Sequence, residues 1–554
     1  MTDFKDFHVA YFSMEIGVDE DIPTYSGGLG VLAGDTLRSL ADLEVPVIGV
    51  TLLYKKGYFK QVIDEQGNQT EHPVEWNPKE KLELLDEEIT VQVERREVKV
   101  KAWKYLLKGV SGHENQIIFL DTDMSGNSEY DRSITKELYG KDEKYRLSQE
   151  IVLGVGGVRM LKALGCENIH KYHMNEGHSS LLTLELLDKH KDVGEVRDKC
   201  VFTTHTPVPA GHDQFTRELA EQILPELIWD GAKHDIFHED KLNMTYLGLR
   251  FSKYINGVAK KHGEVSRSMF PGYHIESITN GVHSMYWTSP PMQRLFNKYI
   301  PGWKADPFNL RYILGVPKEE LWKAHEEAKQ ELIDFVNQLP NVNLRKDLFT
   351  IGFARRAAAY KRGDMLFEDI DKLREIAAQF KGLQIIYAGK AHPKDTEGKE
   401  LIKKIIDKMH ELREHIEVCY LEDYDLEIAK KLVAGVDMWL NTPMRPKEAS
   451  GTSGMKAAHN GVPHFSVLDG WWLEGHIENV TGWSIGKHPE IQKETKHPED
   501  VEDLYNKLEY VILPMFYEQR DSWIDVMRHS IAINGSFFNT HRMVQQYVLN
   551  AYFE

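Results

Sequence analysis

A chain of 554 residues with 41% hydrophobic and 28% charged residues is too long for one hydrophobic core and too apolar for a disordered polymer, so two to four folded lobes of about 150 residues are expected. Against 68 Lys and Arg stand 86 Asp and Glu, a formal charge of -18, which excludes nucleic acid and anionic membrane surfaces as general partners and confines any anion site to a local basic cluster. Cys166, Cys200 and Cys419 are far apart, which excludes a CxxC metal or disulfide framework and suits a reducing compartment.

The opening MTDFKDFHVAYFSMEIG has neither a basic start nor an apolar run, and no stretch reaches the eighteen or so apolar residues that span a bilayer; a cytoplasmic protein is expected. HVAYFSME (8–15), VPVIGVTLLY (45–54), QIIFLDTD (116–123) and KCVFTTHT (199–206) read as buried parallel strands between helical patterns. The acidic KLELLDEE (81–88) reads as solvated surface, and EITVQVERREVKVKAWKY (88–105) alternates as a hairpin would, an excursion from the first lobe. Turn formers crowd residues 279–310 and set a domain boundary near 285–305. The strand rhythm then returns in LFTIGFA (348–354), LQIIYAG (383–389), IEVCYLED (416–423) and VDMWLNT (436–442), with a helix over 365–380. From Val501 onward the pattern is helical and could cross back onto the first lobe. The expected fold is α/β, with two doubly wound, Rossmann-like lobes, residues 1–290 and 291–554, facing a deep cleft and binding ligands beyond the carboxyl ends of their strands.

The most informative loop is EASGTSGMKAAHNG (448–461), directly after a strand. Its small residues and two hydroxyls can turn several donors onto one anion, and Lys456 follows where burial favours the neutral amine that bonds an aldehyde. A Gly and Ser turn capping an ordinary helix is the plainer alternative. GFARRAAAYKRGD (352–364) places Arg355, Arg356, Lys361 and Arg362 after another strand, either a solvated basic helix face or an anion clamp.

SGGLGVLAGD (26–35), TTHTPVPAG (203–211), TNGVH (279–283), RRAAAYKR (355–362) and EASGTSGMK (448–456), which occur in the family's order, resemble the glycogen and maltodextrin phosphorylases over residues 8–487. The resemblance implies a two-lobed glycosyltransferase of the GT-B type, with glucan bound by the first lobe and the cofactor and phosphate sites in the second. It implies that Lys456 carries pyridoxal 5'-phosphate, whose phosphate is held by Thr452, Ser453, Arg355 and the main chain near Gly28. Arg356 and Lys361 would grip inorganic phosphate, while Glu448, Ser450, Gly451, His205 and Asn280 would bind the glucosyl hydroxyls of an α-1,4-glucan. A homodimer without metal is also implied. Departures from the family are Ala358 and Ala359 in place of a polar pair and Gly454 in place of Asn. The short N-terminal region implies a microbial type without control by phosphorylation or effectors.

His170, His173 and His178 match no zinc spacing, and a substrate-facing loop at Asn175 and Glu176 is the alternative to core or capping duties. Trp471 and Trp472 read as core. Two other functions fit the same two-lobed architecture: a nucleotide-sugar-dependent glucan synthase, and a glucan-binding protein without chemistry, against which the intact Lys456, Arg356, Lys361 and Glu448 argue.

Overall fold

Runs of β-branched and aromatic residues between amphipathic helices bury both faces of a strand, and here they build the two large sheets among the described residues. The computed structural model describes residues 4–139, 142–224 and 236–553; residues 1–3 and 554, which enter the leader and C-terminal readings above, lie outside the described residues. By packing, the chain divides into two compact units. One comprises Met1–Phe59, Pro73–Thr279 and Thr540–Glu554, the other Lys60–His72 and Asn280–Asn539.

In the first unit, Val9–Ser13 and Lys171–Asn175 lie side by side within a nine-stranded sheet. Val47–Leu52 and Glu114–Asp121 extend it on one side, and Cys200–Thr203, Tyr254–Gly257 and Glu276–Ser277 on the other. All residues of the two middle strands are buried, as helices on both faces require. Strand order reverses between them, which makes their carboxyl ends the place where a doubly wound sheet takes a ligand.

The expected hairpin is present as Glu83–Val93 and Arg96–Lys108, turning at Glu94 and Arg95 with φ of 50 and 62. It is not an excursion: Arg96–Lys108 pairs antiparallel with Glu114–Asp121, so the hairpin forms the edge of the main sheet. KLELLDEE is solvated as expected, apart from the buried Leu82, and from Glu83 it forms the start of this edge strand with its charged residues outward, a composition that discourages edge-to-edge pairing. The last turns, Thr540–Tyr547 and Val548–Tyr552, pack on this unit. There the Tyr552 hydroxyl lies 2.7 Å from His173 Nδ1, and Tyr547 accepts a 3.0 Å hydrogen bond from Asn256.

The second unit holds six parallel strands in the order Glu417–Leu421, Leu383–Ala388, Phe349–Ala354, Met438–Asn441, His464–Val467, Gly482–Ile485. Counted along the chain, the third, second and first strands precede the fourth, fifth and sixth, the doubly wound pattern, and the order reverses between Phe349–Ala354 and Met438–Asn441. The helix expected over 365–380 begins only at Ile370, because the Asp369 carboxylate accepts from Lys372 N and caps it there; Met365–Phe367 is a separate 3-10 turn. A hairpin, Lys60–Ile63 and Gln69–His72, packs into this unit although its neighbours in sequence belong to the other. Gln61 Nε2 donates to the Gly389 carbonyl and Gln69 Nε2 to that of Ala391, each at 2.9 Å. No helix among the described residues is long and apolar enough to cross a membrane.

Asp437, just before the strand Met438–Asn441, is fully buried and ties the helix Lys318–Val336 to the sheet. It accepts from Lys329 Nζ at 2.6 Å, His325 Nε2 at 2.9 Å and Thr350 N at 2.7 Å. Burial alone would raise its carboxyl; Lys329 and His325 more than offset this and hold it below the ordinary range. Its stabilisation is therefore complete above the unfolded carboxyl value, about 4, and lost as pH falls below it. Asp437→Ala, which strands the buried Lys329 ammonium, is expected to cost about 3–5 kcal/mol in urea unfolding near pH 7, with the gap to the parent protein narrowing below about pH 4.

Candidate active site

The carboxyl ends of Phe349–Ala354 and Met438–Asn441, where the second sheet reverses, are followed by the two loops singled out in the sequence. Beyond the first strand the chain stays extended against its neighbour, with Arg355 N donating to Ala388 O at 3.2 Å and Ala357 N to Lys390 O at 3.0 Å. No basic helix face forms; only the 3-10 turn Ala359–Lys361 follows. The two loops are laced together by Arg362, which donates to the carbonyls of Thr442 and Pro443 and pairs with Asp500 at 2.9 Å. Arg362, grouped above with the anion clamp, is therefore a structural residue of the loop junction.

This lacing brings three expected site residues together. Arg355 Nη2 and Lys361 Nζ both donate to Oε2 of Glu448, the latter at 2.5 Å. Burial alone would raise the Glu448 carboxyl, but the two cations pull it down to about 2. Two positive charges facing one negative leave the cluster net positive, and Arg355 Nη1 is buried with no hydrogen-bond partner among the described residues. An orphaned guanidinium donor in a net positive cluster fits a further anion.

Glu448 opens the loop that carries the remaining candidates. Gly451, at φ 76, turns it, Ser450 is buried beside it, and Thr452 precedes the helix Ser453–His459. Ser453 Oγ accepts from Trp439 Nε1 at 3.0 Å and Asn441 Nδ2 at 3.3 Å, which occupies both lone pairs and leaves its proton to donate. Lys456 is buried in that helix with Nζ 3.8 Å from the centroid of the Trp287 ring. A helix of seven residues contributes little dipole, so the positive potential comes from Arg355 and Lys361. These groups fit a phosphate-bearing aldehyde cofactor: a buried lysine to hold it, and a hydroxyl proton with a spare guanidinium donor for its phosphate. Arg356 is exposed and lies beside His392, whose ring is shifted toward its neutral form by burial first and then by the Arg356 charge.

In the first unit one expected residue follows a strand's carboxyl end closely. His205, after Cys200–Thr203, lies with Nε2 2.7 Å from Asn175 Oδ1, and its backbone N–H donates to Glu176 at 2.8 Å; burial lowers its ring to about 3. The NEGH loop thus orients His205. Gly28 opens the helix Gly28–Asp42, but the preceding N–H groups of Ser26 and Gly27 already donate to the Glu15 carboxylate, at 2.5 and 3.2 Å. Asn280 is buried and belongs to the second unit.

Three contributors escaped the sequence reading. Trp287 covers Lys456. Asp469, in the turn after His464–Val467, accepts from Glu448 N at 2.9 Å, a place that its position in an Asp-Gly turn after a strand could have signalled. His464 accounts for Gly454: a β-carbon at 454 would lie 2.7 Å from the imidazole and 2.8 Å from Trp471, so the two rings leave no room for a side chain there. Trp471 and Trp472 are buried, as expected of core residues.

The family model described as Carbohydrate phosphorylase matches residues 14–139 and 212–502. The chain is 39% identical to the maltodextrin phosphorylase of Thermococcus litoralis, over 98% of this chain and 70% of that protein. It is 34% identical to the glycogen phosphorylases of Aquifex aeolicus, covering 86% of that protein, and Mycobacterium tuberculosis, covering 70%, again over 98% of this chain.

Glu448→Ala would leave Arg355 and Lys361 buried without their carboxylate. We expect a loss of about 3–5 kcal/mol in thermal or urea unfolding at pH 7, partly restored by millimolar phosphate or sulfate. The Glu448 contribution is present above the unfolded carboxyl value, about 4.3, and lost as pH falls toward about 2, so parent and variant should converge in that window.

Proposed function

The chain belongs to the carbohydrate phosphorylase family, and from that premise we propose that it is an α-glucan phosphorylase. It transfers the terminal α-1,4-linked glucosyl residue of a maltodextrin, glycogen or starch to inorganic phosphate, giving α-D-glucose 1-phosphate and a shortened glucan. The supporting observation is the buried, net positive Arg355–Lys361–Glu448 cluster on the loop that leads to Lys456, at the strand reversal of the second unit.

Departure of the glycosidic oxygen leaves a sugar of oxocarbenium character, and retention of the α configuration requires phosphate to attack from the same face. In this reading Lys456 holds pyridoxal 5'-phosphate, and Thr452, Ser453, Arg355 and the main chain near Gly28 hold its phosphate. When bound, the cofactor supplies that phosphate as a proton partner for the substrate phosphate. Arg356 and Lys361 grip the substrate phosphate. Two anions at about 4 Å repel by about 4 kcal/mol at an effective dielectric of 20, which is why several cations must share the site. Glu448, Ser450 and Gly451, with His205 and Asn280, accept or donate to the glucosyl hydroxyls. Low ring basicity keeps His205 neutral, so it can serve as a hydrogen-bonding group without adding charge beside the sugar.

The reading assigns glucan binding to residues 1–290 and the cofactor and phosphate groups to residues 291–554, as doubly wound lobes opening on a shared cleft of the GT-B type. It also makes the protein a cytoplasmic homodimer, a location that suits three buried free thiols.

Incubation with maltodextrin and phosphate is expected to release glucose 1-phosphate, with activity dependent on pyridoxal phosphate. Glucan extension from a nucleotide sugar without that cofactor would instead identify a synthase. Borohydride treatment of the loaded protein should fix the cofactor to a peptide containing Lys456, and Lys456→Ala should lose cofactor and turnover together; a fully active Lys456→Ala protein would rule the reading out. Arg356→Ala and Lys361→Ala should each raise the KM for phosphate about tenfold to a hundredfold, the loss of one charge-assisted contact.

A further inference from the structure

The turn that follows His464–Val467 splints the loop that begins at Glu448. Asp469, 4% exposed, accepts from Glu448 N through Oδ2 and from Gly470 N through Oδ1, both at 2.9 Å. Trp471 N donates to Ser450 O at 2.9 Å. Gly470 sits at φ 54, and a β-carbon there would come within 2.3 Å of the Ser450 carbonyl, so only glycine lets the two segments lie this close. Both ends of the Glu448–Ser450 stretch are therefore held by Asp469 and Trp471.

A buried carboxylate is a costly way to hold a backbone. Burial is the largest influence on Asp469 and pushes its carboxyl up to about 7, with the Glu448 charge adding to it; the Glu448 and Gly470 N–H groups and the Lys361 ammonium work the other way. An asparagine or serine would accept a hydrogen bond there without placing a charge beside the Glu448 carboxylate. The charged groups facing the turn are Glu448 and Lys361, with Arg355 reached through Glu448.

Resting on the phosphorylase reading, we propose that Asp469 is a positioning residue for phosphorolysis: by gripping the Glu448 main chain it aims the Glu448 carboxylate at Arg355 and Lys361, and so fixes how the two cations meet phosphate. Asp469 acts through Glu448 and touches neither phosphate nor sugar. The ionised form is the stronger acceptor, so its grip is full above about pH 7 and weakens as pH falls through that value.

The test compares Asp469→Asn with the parent holoenzyme at pH 8 and pH 6. The ratio of their KM values for phosphate cancels the titration of phosphate itself. It should be about tenfold at pH 8 and fall below about threefold at pH 6, where protonation makes the parent carboxyl resemble the amide. A raised carboxyl value means that the native state loses stability as pH rises from the unfolded value to about 7, so the variant should melt no lower than the parent at pH 8. In a Glu448→Gln background the effect of Asp469→Asn on phosphate KM should vanish, because one residue acts through the other.

A KM ratio that is near one at pH 8, or unchanged between pH 8 and pH 6, or an effect that adds fully to Glu448→Gln, would overturn the proposal; so would a lower melting point with unchanged KM, the mark of a purely structural residue. Should Asp469→Asn not fold, Asp469→Ser is held to the same criteria. If the parent protein released no glucose 1-phosphate, the phosphorylase reading would fail on its own. Calorimetric titration of the loaded parent and variant with phosphate would then make the same comparison as a ratio of Kd values.

Discussion

One carboxylate, shared by a guanidinium and an ammonium and largely withdrawn from water, sets the terms for the second unit. Glu448 comes from the loop of one strand and Arg355 and Lys361 from that of its neighbour, so the triad can exist only because the strand order reverses between them. The desolvation of three charged groups is offset only by close geometry, which demands rigid loops. Rigidity is supplied from outside the triad. Arg362 ties both loops to each other and to Asp500, the Asp469 turn braces the Glu448 main chain, and Asp437 anchors the sheet beneath to the helix Lys318–Val336. The excess positive charge that remains is then a property of the fold and not of mobile surface side chains. This separates the site from an acidic exterior whose mean field would otherwise repel anions.

Much of this was legible in the chain, and the reason is that buried parallel strands announce themselves locally. Every strand core read from an apolar run, from Val9–Ser13 to Met438–Asn441, formed where the residues placed it. The loop from Glu448 to Lys456 was legible because tight turns and clustered hydroxyls are short-range signals. What escaped depended on partners distant in sequence. Nothing in Lys60–His72 says which unit it joins; its glutamines reach carbonyls at Gly389 and Ala391, far along the chain. Arg362 looked the same as Arg355 and Lys361 in a basic run, and only the position of Asp500 separates a lacing residue from a clamp. Gly454 was visible as a departure from the family, but the ring that crowds this position, His464, comes from a separate strand. The edge hairpin was seen as a hairpin while its sheet was not, since alternation reports pairing within a segment and carries no address for the third strand.

The path of the chain through its two units carries one more implication. It enters the second unit for Lys60–His72, leaves, enters again at Asn280, and returns with Thr540–Glu554. A ribosome that has reached Asn539 has synthesised all of the second unit, while the first, begun earlier, still lacks the tyrosines that cover His173 and Asn256. The part made first is thus the last to close, and until then it leaves apolar surface open to chaperones and to aggregation. No single cut of the gene yields two self-sufficient halves. A circular permutant that moves the C-terminal turns ahead of the first strand would reverse that order of completion.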